Sequence, residues 1–97
     1  MEKVKRIEII VPEIIIKDIV AILSKRGLTG YTITRGLQGK GDRGLQDGEG
    51  FVSEFANASV LVIAPVEGTN AVLEDLRTLL KRYGGMCLIS DAQSLRH

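Results

Sequence analysis

The chain is poor in the residues that most often carry metal, disulfide or nucleophilic chemistry. Its 97 residues include one cysteine, one histidine and no tryptophan. A disulfide needs two thiols and a structural zinc site needs several Cys or His ligands, so one chain can assemble neither. Cys87, within the apolar residues 86–89, is predicted to be a buried structural thiol, and His97 a solvated tail residue. No serine has a histidine in mid-chain to activate it, and we therefore predict a protein that is not an enzyme.

A strong excess of charge and long hydrophobic runs are also absent. Thirteen basic and twelve acidic residues give a formal charge of +1, which provides no general attraction to nucleic acid or to an anionic membrane. Phe51 and Phe55 superficially echo an RNA-recognition motif, but their spacing is wrong and the first strand offers no aromatic residue for stacking. The apolar runs are far shorter than the ~20 residues that cross a bilayer, and the N-terminal residues do not resemble a signal peptide. We expect a cytoplasmic protein without membrane insertion or nucleic-acid binding.

The hydrophobic pattern predicts one domain, residues 1–97, with two βαβ-like halves. The first half has a strand at residues 4–11, ended by Pro12, a helix at 13–26 and a strand at 31–35. The second half has a strand at 58–64, a helix with Thr69 as its N-cap and Gly84 after its end, and a strand at 86–90. The run from Val60 to Ile63 indicates burial on both faces, and the tail, about 92–97, has no clear pattern. The order βαββαβ predicts a ferredoxin-like α+β sandwich: a four-stranded antiparallel sheet with two helices on one face.

Glycines interrupt the chain between the second and third strands. Six of the eleven glycines lie in residues 36–54, a stretch without regular periodicity, which predicts a long mobile loop. Lys40 and Arg43 stand among these glycines, where exposed backbone amides and two cations suit a phosphate-bearing ligand. The segment is not a P-loop, because Ser or Thr does not follow Lys40 and a helix does not start there. Solvated charges on a mobile loop are the alternative explanation.

Two segments resemble the PII signalling proteins. Residues 27–34, GLTGYTIT, are similar to the G-x-T-G-x-T-V-T segment of that family, and residues 39–43, GKGDR, resemble the G-K-G-x-R loop base of the PII-like branch associated with bicarbonate transporters and carboxysomes. The resemblance covers about residues 3–91. It implies a homotrimeric signalling protein whose sheets face inward and which binds adenine nucleotides in clefts between subunits. It also implies a transporter or carboxysome-associated protein as the partner that the long loop contacts.

The resemblance also implies where a nucleotide would lie. Gly30, Tyr31 and Thr32 would approach the adenine and ribose, and Leu61, Val62 and Ile63 would wall the base. The phosphates would be approached by Gly39, Lys40, Gly41 and Arg43. A loop containing Gly84 and Gly85 would close over the nucleotide from the neighbouring subunit.

Departures from the nitrogen-type PII pattern shape the expected ligand. The long loop lacks the tyrosine that is modified in that type, the second glycine loop carries no lysine, and the C-terminal basic extension is reduced to Arg96. Fewer cations give weaker support for a triphosphate, so we expect AMP or ADP as the ligand, with bicarbonate as a candidate co-effector near Lys40 or Arg43. A trimeric structural or metal-tolerance module resembling the divalent-cation tolerance proteins is the alternative function, and it predicts a trimer that resists proteolysis in the absence of ligand.

Overall fold

The computed structural model describes residues 1–39 and 57–95. Strand β1 covers Glu2–Pro12, and a short 3-10 turn at Glu13–Ile15 leads into helix α1, Ile16–Lys25. Strands β2 and β3 cover Tyr31–Leu37 and Asn57–Pro65. Helix α2, Thr69–Tyr83, and strand β4, Met86–Ser94, follow. None of the helices in these two ranges is long and apolar enough to cross a membrane.

The sheet has the order β2-β3-β1-β4, and every neighbouring pair is antiparallel. Strands β1 and β3 occupy the centre, where the registers pair Ile9 with Val60 and Ile7 with Val62. Helix α1 connects β1 to the edge strand β2, which lies on the far side of β3. Helix α2 connects β3 to the edge strand β4, which lies on the far side of β1. The ferredoxin-like sandwich predicted from the order of elements is confirmed.

The core lies between the sheet and the two helices. In β1, Ile7 and Ile9 are fully buried and alternate with partly exposed residues, as the period of two in a half-buried strand requires. Helix α1 contributes Ile19 and Leu23, four residues apart on its buried stripe, and α2 contributes Leu76. Each of these five side chains is at most 1% exposed.

The opposite sheet face stays open within one chain. In β3, Val60 and Val62 are buried, whereas Leu61 is only partly buried and Ile63 is 45% exposed, so burial of this strand on both faces is wrong for a single chain. Leu88 on the edge strand β4 is 52% exposed on the same face, to which the register with Glu8 assigns it. This face therefore exposes apolar side chains that an identical neighbour is able to cover.

Several predicted boundaries differ from the structure. The first helix begins with a 3-10 turn, because the residues after Pro12 form i to i+3 bonds before the α-helix starts at Ile16. Thr69 is not an N-cap: Gly68, with φ +82°, precedes the helix and Thr69 is its first residue. Gly36 lies inside β2, with φ +72°, at a register shift that lets the strand continue to Leu37.

Strand β4 is longer than its apolar run. The prediction ended it at residue 90, but pairing with β1 continues to Ser94, opposite Glu2. Polar residues hold this extension: the carboxylate of Asp91 pairs with the ammonium group of Lys5 on the adjacent strand. A strand that is exposed on both faces has no alternation of apolar and polar residues. The sequence pattern therefore did not predict the part of β4 beyond residue 90.

Candidate functional site

The strands define two ends of the sheet, and the candidate binding residues divide between them. At the end that we call the loop end, β1 and β2 finish at Pro12 and Leu37, while β3 and β4 begin at Asn57 and Met86. At the far end, β2 begins at Tyr31 and the other strands have their opposite termini.

The far end brings together two of the predicted segments. Tyr31 pairs with Val62 and Thr32 with Leu61, so the start of β2 lies beside the second half of β3. Because side chains alternate across the sheet, Thr32 and Leu61 share the open face and Tyr31 lies on the helix side with Val62. Val62 is 1% exposed and belongs to the core, so its side chain has little surface to offer a ligand.

The loop end holds the other described glycines. Gly39 lies two residues beyond the end of β2, and Gly84 and Gly85 link α2 to β4. Gly84 has φ 82° and ψ 174°, and its amide caps α2 by donating to the carbonyl oxygen of Leu80 at 2.8 Å. Gly85 packs so closely that a Cβ placed on it would lie 2.6 Å from the carbonyl oxygen of Ile10.

The remaining predicted phosphate ligands are Lys40, Gly41 and Arg43, and they lie outside the described residues. So does most of the predicted loop, 36–54. The bicarbonate position proposed near Lys40 or Arg43 falls in the same stretch.

The two groups of candidate residues are far apart within one chain. Six strand steps separate Tyr31 from Leu37, and at about 3.3 Å per residue this is roughly 20 Å before Gly39 is reached. Gly84 and Gly85 lie at the opposite edge of the sheet, next to β4. The described part of a single chain therefore does not bring the far-end and the loop-end residues together.

The Glu13 carboxylate, in the short turn after β1, contacts the end of strand β2. Glu13 Oε2 accepts a hydrogen bond from the Gly36 amide at 2.9 Å, and Arg35 Nη1 lies 3.7 Å from Glu13 Oε1. The bond fixes the backbone at the positive-φ residue where β2 is irregular. No local pattern in the sequence links positions 13 and 36, because the contact arises only when the turn after β1 packs beside β2.

Three of the described ionisable groups have a shifted pKa, and burial or an ion pair explains each shift. Cys87 is only partly buried, which is less than the sequence predicted, and this burial raises the pKa of its thiol and favours the neutral form. A hydrogen bond from Arg26 lowers the pKa of Asp75, and one from Lys5 lowers the pKa of Asp91. Within residues 1–39 and 57–95, no three His, Cys, Asp or Glu side chains come together as a metal site.

The described residues define a ferredoxin-like protein with an open sheet face and glycine segments at both ends of the sheet. The sequence matches the family model described as Nitrogen regulatory protein P-II over residues 4–97. The chain therefore belongs to the P-II family, as the resemblance of its two glycine segments predicted. A search of curated protein sequences returned no significant match.

Solved structures agree with the family assignment. CPII from Thiomonas intermedia, a nitrogen regulatory PII-like protein bound to ADP, AMP and bicarbonate, is 25% identical, with a TM-score of 0.83 over 98% of this chain and 96% of that one. The same protein bound to ADP and bicarbonate is 26% identical, with a TM-score of 0.82 over 97% and 90% of the two chains. A putative PII-like signalling protein from Thermus thermophilus shares the fold at 22% identity and a TM-score of 0.75, over 97% and 91%.

Proposed function

We propose that the protein is a homotrimeric, non-enzymatic, cytoplasmic regulator that binds AMP or ADP between subunits, with bicarbonate as a co-effector. The observation that carries the ligand is the similarity to CPII, whose structures hold ADP, AMP and bicarbonate. The open sheet face supports the trimer, because exposed side chains such as Ile63 and Leu88 would be covered by neighbouring copies.

The separation of the glycine segments suggests how two subunits would build one cleft. Thr32 and Gly39 are separated by roughly 20 Å along and beyond β2, so in our proposal one nucleotide does not contact both residues of the same chain. In our proposal Gly30, Tyr31 and Thr32 of one subunit approach the base. The neighbour provides Gly39, Gly84 and Gly85 from its loop end, together with the phosphate ligands Lys40, Gly41 and Arg43. This arrangement differs from the initial expectation, in which only Gly84 and Gly85 came from the neighbour.

Strand β3 would complete the wall of the cleft. Leu61 and Ile63 have surface available for a base. Val62 is buried, so in our proposal it does not contact the base but packs in the core next to Tyr31, its partner in the sheet. Ligand state would then reach the segment 36–54 through Gly39 and the phosphate ligands. We propose that this segment contacts a membrane transporter of carbon uptake or a carboxysome component.

Isothermal titration calorimetry with AMP, ADP, ATP and bicarbonate tests the proposal. We expect binding of AMP and ADP, and a gain or loss of nucleotide affinity when bicarbonate is present. Arg43→Ala should weaken ADP more than AMP and leave adenosine nearly unchanged, because charge-assisted contacts to phosphate scale with the phosphate groups present. Arg77→Ala, which removes an exposed helix arginine, is the matched control.

A second pair of variants tests the base end. Thr32→Val should weaken all adenine nucleotides by a similar factor, of about fivefold for one lost neutral hydrogen bond. Thr34→Val lies two residues along the same strand face and should have a smaller effect.

Absence of binding heat for every nucleotide would refute the proposed function, and equal loss of adenosine and ADP in Arg43→Ala would refute the role of that residue.

A further inference from the structure

The open sheet face carries two opposite charges on one of its central strands. Arg6 and Glu8 lie two residues apart on β1, so their side chains are on the side of the sheet opposite to the buried Ile7. Arg6 Nη2 donates a hydrogen bond to Glu8 Oε1 at 3.2 Å. The central part of this face is therefore charged, although the face as a whole exposes apolar residues.

A serine from the other central strand completes the arrangement. The Ser59 hydroxyl on β3 donates to Glu8 Oε2 at 3.2 Å, so each carboxylate oxygen of Glu8 accepts a hydrogen bond. The Glu8 side chain is only 28% exposed in a single chain. We call Arg6, Glu8 and Ser59 the polar network. Its two bonds hold the carboxylate in one orientation on the sheet.

Apolar side chains surround the polar network. Leu61 and Leu88 stand directly opposite Glu8 on the two neighbouring strands, and Ile63 stands opposite Arg6. Ile63 and Leu88 are the exposed residues that neighbouring copies would cover in the proposed trimer. The same cover would remove water from the Arg6 side chain, which is 41% exposed in a single chain.

The loss of water places a demand on the surface that covers the polar network. A guanidinium has several N–H donors, and the bond from Arg6 to Glu8 occupies one of them. Once water is excluded, the donors that faced it need acceptors, and a purely apolar surface would leave them unsatisfied. An identical face brings the carboxylate and hydroxyl oxygens of its own polar network.

We propose that the polar network makes the open sheet face select second copies of this chain as its neighbours. The inference rests on the proposed trimer and adds the residues that decide which chains enter it. A face with both a positive and a negative charge is complementary to an identical face, whereas a related chain with apolar residues at positions 6 and 8 offers these charges no partner. Such a chain is excluded from mixed oligomers.

Analytical ultracentrifugation of the full chain over a range of concentrations tests the role of the pair. Glu8→Leu leaves Arg6 without its carboxylate and should raise the concentration at which half of the oligomer dissociates by about a hundredfold or more. Arg6→Met combined with Glu8→Leu removes both charges and should return this concentration to within about tenfold of the original, because a covered charge costs most when it is unpaired. Glu74→Leu is the matched control: it breaks the exposed pair with Arg77 on α2 and should change nothing.

Native mass spectrometry after mixing tests the selection itself. The original chain and the double variant differ in mass, so mixed oligomers are resolved from pure ones. We expect each chain to assemble mainly with its own copies, and circular dichroism checks that both are folded. Random mixing of the two chains, or a Glu8→Leu chain that assembles like the original, would overturn this inference and leave the proposed trimer intact. An original chain that stays monomeric would refute the trimer of the proposed function as well.

Discussion

Replacing Gly85 by alanine is expected to be the most damaging small change in the segment between α2 and β4. The glycine has φ +117°, a conformation that L side chains rarely adopt. A Cβ at this position would lie 2.6 Å from the Ile10 carbonyl oxygen, 3.0 Å from Val11 Cγ1 and 3.1 Å from Leu80 Cδ2. The first contact is with backbone of the central strand β1, which is unable to move without disturbing the pairing of that strand with β3 and β4.

Gly84 provides a control in the adjacent position. Its φ of 82° and ψ of 174° also favour glycine, but an added Cβ would meet no atom within 4 Å. Gly84→Ala should therefore cost only backbone strain, about 1–3 kcal/mol. Gly85→Ala adds overpacking of about 1–3 kcal/mol to a similar strain, so its free energy of unfolding should fall by roughly 2–6 kcal/mol.

Urea unfolding followed by circular dichroism measures the difference between the two variants. The comparison is made at several protein concentrations, because the stability of an oligomer depends on concentration. We expect Gly85→Ala to lower the midpoint clearly more than Gly84→Ala. Equal midpoints, or a less stable Gly84→Ala, would contradict the close approach of Gly85 to β1.

Three further predictions concern other contacts. Glu13→Gln should weaken the hydrogen bond to the Gly36 amide and increase the hydrogen exchange of that amide, with the amides of α1 as the reference; unchanged exchange would argue against the contact. Asp91→Asn should flatten the acid side of the stability curve. The hydrogen bond from Lys5 lowers the pKa of Asp91 below that of an unpaired aspartate. The stability that this carboxylate contributes is therefore present above the ordinary aspartate pKa and is lost as the pH falls through the lowered value; an unchanged curve would count against the ion pair. Leu88→Asp should convert the proposed trimer to monomers in light scattering and keep the helical signal, because Leu88 is 52% exposed in a single chain; a trimer that persists would show that this residue lies outside the interface.

Local patterns in the sequence determined the fold class and most of the element order. The alternation of Ile7 and Ile9 and the stripe of Ile19 and Leu23 correspond to the buried faces in the structure. These signals are strong because one face of each element is covered within the same chain. Residues 27–34 and 39–43 also indicated the P-II family, which the family match confirms.

Boundaries and polar contacts were less predictable from sequence. The extension of β4 to Ser94 depends on pairing with a strand more than eighty residues earlier, and its side chains show no clear alternation. The place of Gly36 within β2 depends on the register shift and on Glu13 from another element. These features follow from long-range backbone pairing, which leaves little trace in local sequence.

The sequence by itself determined which residues are suited to a phosphate ligand, because glycine, lysine and arginine carry that chemistry wherever they lie. Only the tertiary structure decided how the candidate binding residues within the described ranges are grouped. It placed Thr32 near the start of β2, Gly39 beyond the end of that strand, and Gly84 and Gly85 at the other edge of the sheet. The physical reason is that strand order and direction, which set these distances, depend on the packing of the whole sheet.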